Sequence, residues 1–180
     1  MYISKVVINN IKCFKDNFFI DFENDGKLVL WTVILGDNAV GKSTLLECIA
    51  MGLCDEASSA ALMKESMTDF LREDELGGSI EITLKKVRRG KEFKIKTKII
   101  RDSLDGPIKI KQSISPKEGF SWTDIFVCGY GVYRLDSSSP IFDKYTQLEA
   151  LYSLFADSTL MDPETILLRL PSYLKRVLVK

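Results

Sequence analysis

The alternation of apolar and polar residues is clearest between Ser79 and Ile100. In "SIEITLKKV", Ile80, Ile82 and Leu84 alternate with Glu81, Thr83 and Lys85. In "KEFKIKTKII", Phe93, Ile95, Thr97 and Ile99 alternate with Glu92, Lys94, Lys96 and Lys98. A period of two with β-branched enrichment predicts a β-hairpin, with Gly90 in its turn. Tyr2, Val6, Val7, Ile8 and Ile11 predict a strand over residues 2 to 11, and residues 18 to 22 a short second one. "KLVLWTVILG" is apolar without alternation, as in a strand buried on both faces. Beyond it, Leu45, Leu46, Ile49, Ala50 and Leu53 fall at helical spacing, and Gly52 marks the helix end. Residues 56 to 75 are rich in Ala, Met and Leu and read as helical. A short strand is expected over Ile108 to Ile114, and a buried strand running into glycines at "DIFVCGYG". From Gln147 the pattern is helical, with Pro163 opening a further helix and Pro171 ending or kinking it.

The chain has 180 residues, 46% of them hydrophobic, enough for one domain with a real core. Its 25 basic and 25 acidic residues balance, so bulk charge favours no partner and any nucleic-acid site must be a local patch. There is no histidine, which removes imidazole bases and the commonest zinc ligand. The four cysteines, Cys13, Cys48, Cys54 and Cys128, lack C-x-x-C spacing and fit reduced thiols. With no signal-peptide pattern and no apolar run of membrane-span length, a cytoplasmic protein with no membrane partner is expected.

The chemistry lies in Gly36-Asp37-Asn38-Ala39-Val40-Gly41-Lys42-Ser43, a match to G-x-x-x-x-G-K-S/T. Its glycines permit a tight path from strand to helix and close approach to phosphate. Backbone N–H groups from Asn38 to Thr44 would converge on the β-phosphate at a helix N-terminus. Lys42 is expected to bridge the β- and γ-oxygens, Ser43 to supply a magnesium ligand, and Thr44 to reach the α-phosphate. The plainer reading is an ordinary Gly-rich strand-to-helix turn; the strand expected before the loop and the helix after it supply the context a phosphate loop requires. A GTPase loop can look similar, but no Asn-Lys-x-Asp segment follows to read guanine. Asp74 to Gly77 spells D-x-x-G, yet follows "FLRE" rather than a buried strand, and reads as a turn.

The stretch "VVINNIKCFKDNFFIDFENDGKLVLWTVILGDNAVGKSTLLECIAMGL" resembles the opening of the ABC-type ATPase head of SMC, RecF and related proteins. "FVCGYGVYRL" followed by "LYSLFADSTLMDPETILLRL" resembles the ATPases of prokaryotic phage-defence modules, the Septu-type and retron-associated branch. The two matches span most of residues 3 to 170. The resemblance implies an α/β P-loop NTPase fold: ABC-type lobe I with a mixed sheet, an antiparallel β-hairpin and C-terminal helices. It implies ATP and Mg2+ as ligands, and a second ATPase head as partner in a homodimer or higher assembly. A nuclease partner and a role in antiviral defence or DNA repair are also implied. Lys12 and Cys13 become candidate ATP contacts, and Arg134, after Gly129-Tyr130-Gly131, a phosphate or second-head contact. The bland alternatives are a solvated strand-end lysine and a surface arginine.

Two features depart from the pattern. Ala39 stands where the loop usually carries a second glycine, which is tolerable if its φ is negative. Gln147 is the nearest candidate for the glutamine of the Q-loop, but it opens a helix. No strand-like apolar run is followed by Asp-Glu, so the magnesium aspartate and catalytic glutamate are not found in this sequence. Leu76-Gly77-Gly78-Ser79 looks superficially like the signature motif, but comes early and reads as a turn. Residues 1 to 146 are therefore expected to form the N-terminal ATPase lobe, and 147 to 180 the start of a helical insertion leading to a second lobe. The chain would be a fragment, a truncated product or half of a split protein. Finally, nine Lys or Arg and one Glu lie between Lys85 and Arg101. This basic hairpin, 85 to 101, is a candidate DNA-facing edge, or else a charged guard on an exposed hairpin.

Overall fold

The computed structural model describes residues 1–29, 31–65, 69–86, 90–131 and 147–155. Its frame is a five-stranded sheet in the order β2-β1-β5-β6-β7. The strands are β1 (Tyr2–Asn9), β2 (Phe18–Asp21), β5 (Gly77–Lys85), β6 (Glu92–Ile100) and β7 (Lys109–Ser115). A separate two-stranded ribbon joins β3 (Glu23–Asn24) to β4 (Lys27–Leu28). Helices α1 (Lys42–Gly52) and α2 (Glu56–Glu65) lie between β4 and β5, and α3 (Gln147–Phe155) closes the described chain. Among the described residues every ladder is antiparallel, where the sequence predicts a mixed sheet.

The alternation dictates which face is buried. Val6, Ile8, Ile80, Ile82, Leu84, Phe93, Ile95 and Ile99 form one continuous apolar face, and α1 packs on β5 and β6 there. Leu45, Cys48 and Met51 recur at helical spacing and point α1 into that face. Contact is close at the helix end: a Cβ on Gly52 would stand 2.5 Å from Ile82 Cδ1. The side chain of Gln112 on β7 ties the sheet to the end of α1, donating from Nε2 to the Cys54 carbonyl at 2.7 Å and to Thr97 Oγ1 at 3.0 Å.

The hairpin, the first two strands, β7 and the start of α3 follow the sequence pattern within two residues. The two continuous apolar runs do not. β4 ends at Leu28, and Trp31, Val33 and Leu35 are 82%, 63% and 87% exposed. Among the described residues of this run, Ile34 packs partly against the core. Residues 125 to 131 are likewise not a strand; a 3₁₀ turn at Trp122–Asp124 leads into extended chain. A strand needs a neighbour to complete its ladder, and no ladder among the described residues takes in residues 31–36 or 125–131.

Other expectations shift in detail. α2 is described over Glu56–Glu65, and residues 69–75 are not helical, where the sequence predicts a helix to residue 75. Gly77, Gly78 and Ser79 form the start of β5 rather than a turn. A Cβ on Gly78 would lie 2.7 Å from the Asn10 carbonyl oxygen, so only glycine lets β5 pass the end of β1. The turn expected at Asp74 is present, with φ +62°. Arg101, counted in the basic hairpin, is 9% exposed. Its side chain donates to the Glu75 carbonyl (2.9 Å), Asp69 Oδ2 (2.7 Å) and the Leu104 carbonyl (2.8 Å). The helix opened by Pro163 lies outside the described residues.

Candidate functional site: a phosphate loop at the start of α1

The loop Gly36 to Gly41 leads directly into α1. Gly41 is the N-cap residue, with φ +98°, and the Leu45 N–H closes the first helical bond to its carbonyl at 2.9 Å. An L-residue strains at that φ, and a Cβ would also collide with Cys13 Sγ and stand 3.1 Å from Phe14 Cζ. No side chain caps the helix, and its first turn carries no acid. The N–H groups that a helix leaves unpaired at its start therefore face the loop with the positive end of the dipole. Lys42 folds back over this space. Its ammonium donates to the carbonyls of Gly36 (2.7 Å) and Asp37 (2.5 Å). Both acceptors are neutral, so an anionic oxygen placed there would make a stronger partner. Ser43 is exposed at the loop mouth, whereas Thr44 is buried beneath it.

A tight turn at the end of β1 buttresses the loop. Ile11 and Phe14 exchange backbone hydrogen bonds at 3.0 and 2.7 Å. This turn presents Cys13 to the loop, its thiol donating to the Val40 carbonyl at 3.8 Å. Lys12, at φ +43°, points elsewhere: its Nζ pairs with Glu47 on α1 at 3.1 Å and sits 4.6 Å from the Phe70 ring centre. The Phe70 carbonyl accepts from the Lys12 N–H, and Arg72 Nη1 donates to the Lys12 carbonyl. Glu47, Phe70 and Arg72 carry no sequence signal that ties them to Lys12. They lie 35 to 60 residues away, and only the fold brings them together. Arg134 lies outside the described residues. Gly129 and Gly131 pack under α3, where a Cβ on Gly131 would collide with the Ser153 carbonyl.

The four thiols divide by burial. Cys48 and Cys54 are enclosed, and loss of hydration pushes the Cys54 thiol up to about 12 and that of Cys48 higher still, with Glu47 adding to the latter. Cys13 and Cys128 are exposed.

A family model described as an AAA domain matches residues 5 to 151. The chain belongs to the AAA domain family. Septu protein PtuA of Bacillus mycoides (strain KBAB4) is 33% identical over 84 residues, which are 46% of this chain. The matched region spans 12% of that protein's length. A solved structure titled "Structural biochemistry of ATP-driven dimerization and DNA stimulated activation of SMC ATPases" aligns with a TM-score of 0.47 at 21% identity, covering 63% of this chain and 70% of that one. Among the described residues of this AAA domain, no helix is long and apolar enough to cross a membrane.

The site fits a nucleotide triphosphate. The uncapped helix start, the lysine resting on replaceable carbonyls and the exposed Ser43 hydroxyl are the groups a phosphate chain needs. Among the described residues there is no cluster of three or more metal-ligating side chains. A magnesium ion here would take Ser43 and phosphate oxygens as ligands, as Mg2+ commonly does.

One loop residue differs from expectation. Ala39 adopts φ +64°, not a negative value. The left-handed region costs an L-residue about 1–2 kcal/mol. Glycine would avoid that cost but adds freedom to the unfolded chain. On balance Ala39→Gly raises the melting temperature of this AAA domain by about 2–4 °C, for a gain of about 1 kcal/mol. Thermal melts of the two proteins check this, and a lower value for the variant contradicts the strained loop.

Proposed function

We propose that this AAA domain binds Mg-ATP at residues 36 to 44, as the nucleotide-gripping lobe of an SMC/RecF-like ABC-type ATPase. The observation that carries this reading is the Lys42 ammonium resting on the Gly36 and Asp37 carbonyls at the uncapped start of α1. In the bound state Lys42 exchanges those carbonyls for β- and γ-phosphate oxygens. The N–H groups from Asn38 to Thr44 hold the phosphates, Ser43 supplies a magnesium ligand and Thr44 reaches the α-phosphate. Gly36, Ala39, Val40 and Gly41 set the loop's path around them. Lys12, Cys13 and Arg134 complete the nucleotide contacts, with Lys12 first releasing Glu47.

Hydrolysis needs an aspartate to order magnesium and a glutamate to activate water, and no Asp-Glu pair ends a strand among the described residues: Asp55-Glu56 follows an apolar run but lies at the junction of α1 and α2. That absence favours a second reading for the chain by itself, a nucleotide-dependent interaction module without turnover. In either case the partner is a second ATPase head. The setting is a phage-defence or other DNA-transaction complex with a nuclease, and the similarity to Septu protein PtuA supports the defence assignment.

Nucleotide choice tests the reading. With Mg2+ present, ATP displaces a bound fluorescent ATP analogue, and GTP does so only at concentrations more than about tenfold higher. A difference of about 1.4 kcal/mol in binding corresponds to that ratio. Displacement by GTP at equal or lower concentration would favour a GTPase instead.

A further inference from the structure

The turn that ends β1 meets α1 at two levels. Cys13 and Phe14 press on Gly41 at the loop, while Lys12 reaches past them to Glu47. Glu47 is the single acid of α1, whose sequence is "KSTLLECIAMG". It follows Ser43 by four residues, so the two share a face of the helix about one turn apart. The Lys12 ammonium is thus held beside the same helix that opens the phosphate loop, one turn below the Ser43 hydroxyl.

The backbone of Lys12 is anchored, whereas its ammonium is lightly held. The Lys12 N–H donates to the Phe70 carbonyl at 3.2 Å, and the Lys12 carbonyl accepts from Arg72 Nη1 at 3.3 Å. Ile11 bridges to Leu71 just before it. The side chain makes one hydrogen bond, from Nζ to Glu47 Oε2 at 3.1 Å, and lies over the Phe70 ring. Water reaches both partners: the side chains are 23% exposed for Lys12 and 14% for Glu47. A single-pronged, partly hydrated pair is a weak tie compared with an enclosed one. Lysine carries its charge on a flexible four-carbon stem. The ammonium can therefore swing up α1 while the turn that carries it stays in place.

We infer that Glu47 is a positioning residue: it parks the Lys12 ammonium one turn below Ser43 in the nucleotide-free chain, and so restrains the affinity of the loop for a nucleoside triphosphate until the pair opens. The inference rests on the nucleotide reading above and adds a restraint on that same site. Phosphates at the loop carry more charge than one carboxylate and draw the ammonium toward them. Its departure leaves the Glu47 carboxylate without a cation and mostly out of water, which opposes the swing. Binding and the ion pair compete for one ammonium. A site whose competent state is partly populated loses apparent affinity by that fraction. For a pair of this exposure the reduction is about three- to tenfold.

Isothermal titration of Mg-ATP into the parent, Glu47→Gln, Lys12→Gln and the double variant tests this. Glu47→Gln keeps the shape and an acceptor oxygen but removes the charge, and its far-UV circular dichroism matches the parent. It binds about three- to tenfold more tightly. Lys12→Gln binds at least about threefold more weakly than the parent, having lost a charge-assisted phosphate contact. The double variant matches Lys12→Gln within about twofold, because Glu47 acts through Lys12. A merely structural Glu47 would give no such Lys12-dependent gain. The inference is overturned if Glu47→Gln binds no more tightly than the parent, or if Lys12→Gln binds as the parent does. It is also overturned if the gain persists in the Lys12→Gln background, where the carboxylate would be repelling phosphate directly. Lys42→Ala, titrated alongside, keeps two failures apart. With binding to the parent and its loss in Lys42→Ala, a missing gain in Glu47→Gln overturns the Glu47 restraint and leaves the nucleotide site standing. If the parent binds no Mg-ATP, or Lys42→Ala binds equally well, the nucleotide reading fails and the restraint fails with it.

Discussion

Arg101→Ala destabilises the chain by about 3 kcal/mol, the lower end of what breaking a buried ion pair costs. The side chain reaches three acceptors on separate segments: the Glu75 carbonyl before β5, Asp69 after α2, and the Leu104 carbonyl before β7. Its removal leaves two carbonyls without their donor and a carboxylate without its partner. The Asp69 side chain is half exposed and recovers water, which keeps the cost from rising further. Arg101→Lys restores only part of the loss, because one ammonium cannot span the fork that guanidinium fills. Urea melts of the three proteins measure this. At roughly 2–4 °C per kcal/mol for a chain of this size, the alanine variant melts roughly 6–12 °C lower. A loss below about 1 kcal/mol, as for a surface arginine, would contradict the clamp.

Arg101 also shows where reading the sequence succeeds and where it stops. The alternation of β5 and β6 states that residues 93, 95, 97 and 99 are inside, and they are. It cannot state which cations already have partners. Lys85 and Lys86 are held by Glu23 and Asp124, far away in sequence, and Arg101 is buried, so among the described residues Lys94 and Lys98 are the exposed cations of the hairpin outside an ion pair. Lys109 and Lys111 of β7 stand beside them, which only the register reveals. The apolar runs at 29–35 and 125–131 show a different limit. Their composition says that something should cover them, but a strand is a relation between two segments. A single run does not name its neighbour.

The phosphate loop was legible for the opposite reason: its chemistry is local. Gly36, Gly41, Lys42 and Ser43 act through spacing along the chain, and the strand-end turn that buttresses them is carried by "NNIKCF". The sign of φ at Ala39 was not legible, since alanine itself favours the other region. Nor was the pairing of Lys12 with Glu47, which leaves the lysine engaged along α1 rather than over the loop.

Lys42→Ala removes the one cation that the loop holds over the start of α1. The helix N–H groups remain, so binding weakens rather than the fold failing, and far-UV circular dichroism of the variant matches the parent. The lost contact is charge-assisted on two phosphates, each worth about 1.5–3 kcal/mol, so affinity falls by about 100-fold or more. Isothermal titration of Mg-ATP into the parent and into Lys42→Ala, at equal fold content, is the most direct test. The account predicts saturable binding to the parent and none measurable, or binding at least about 100-fold weaker, to the variant. Equal affinities would contradict it, because the loop would then not be gripping phosphate.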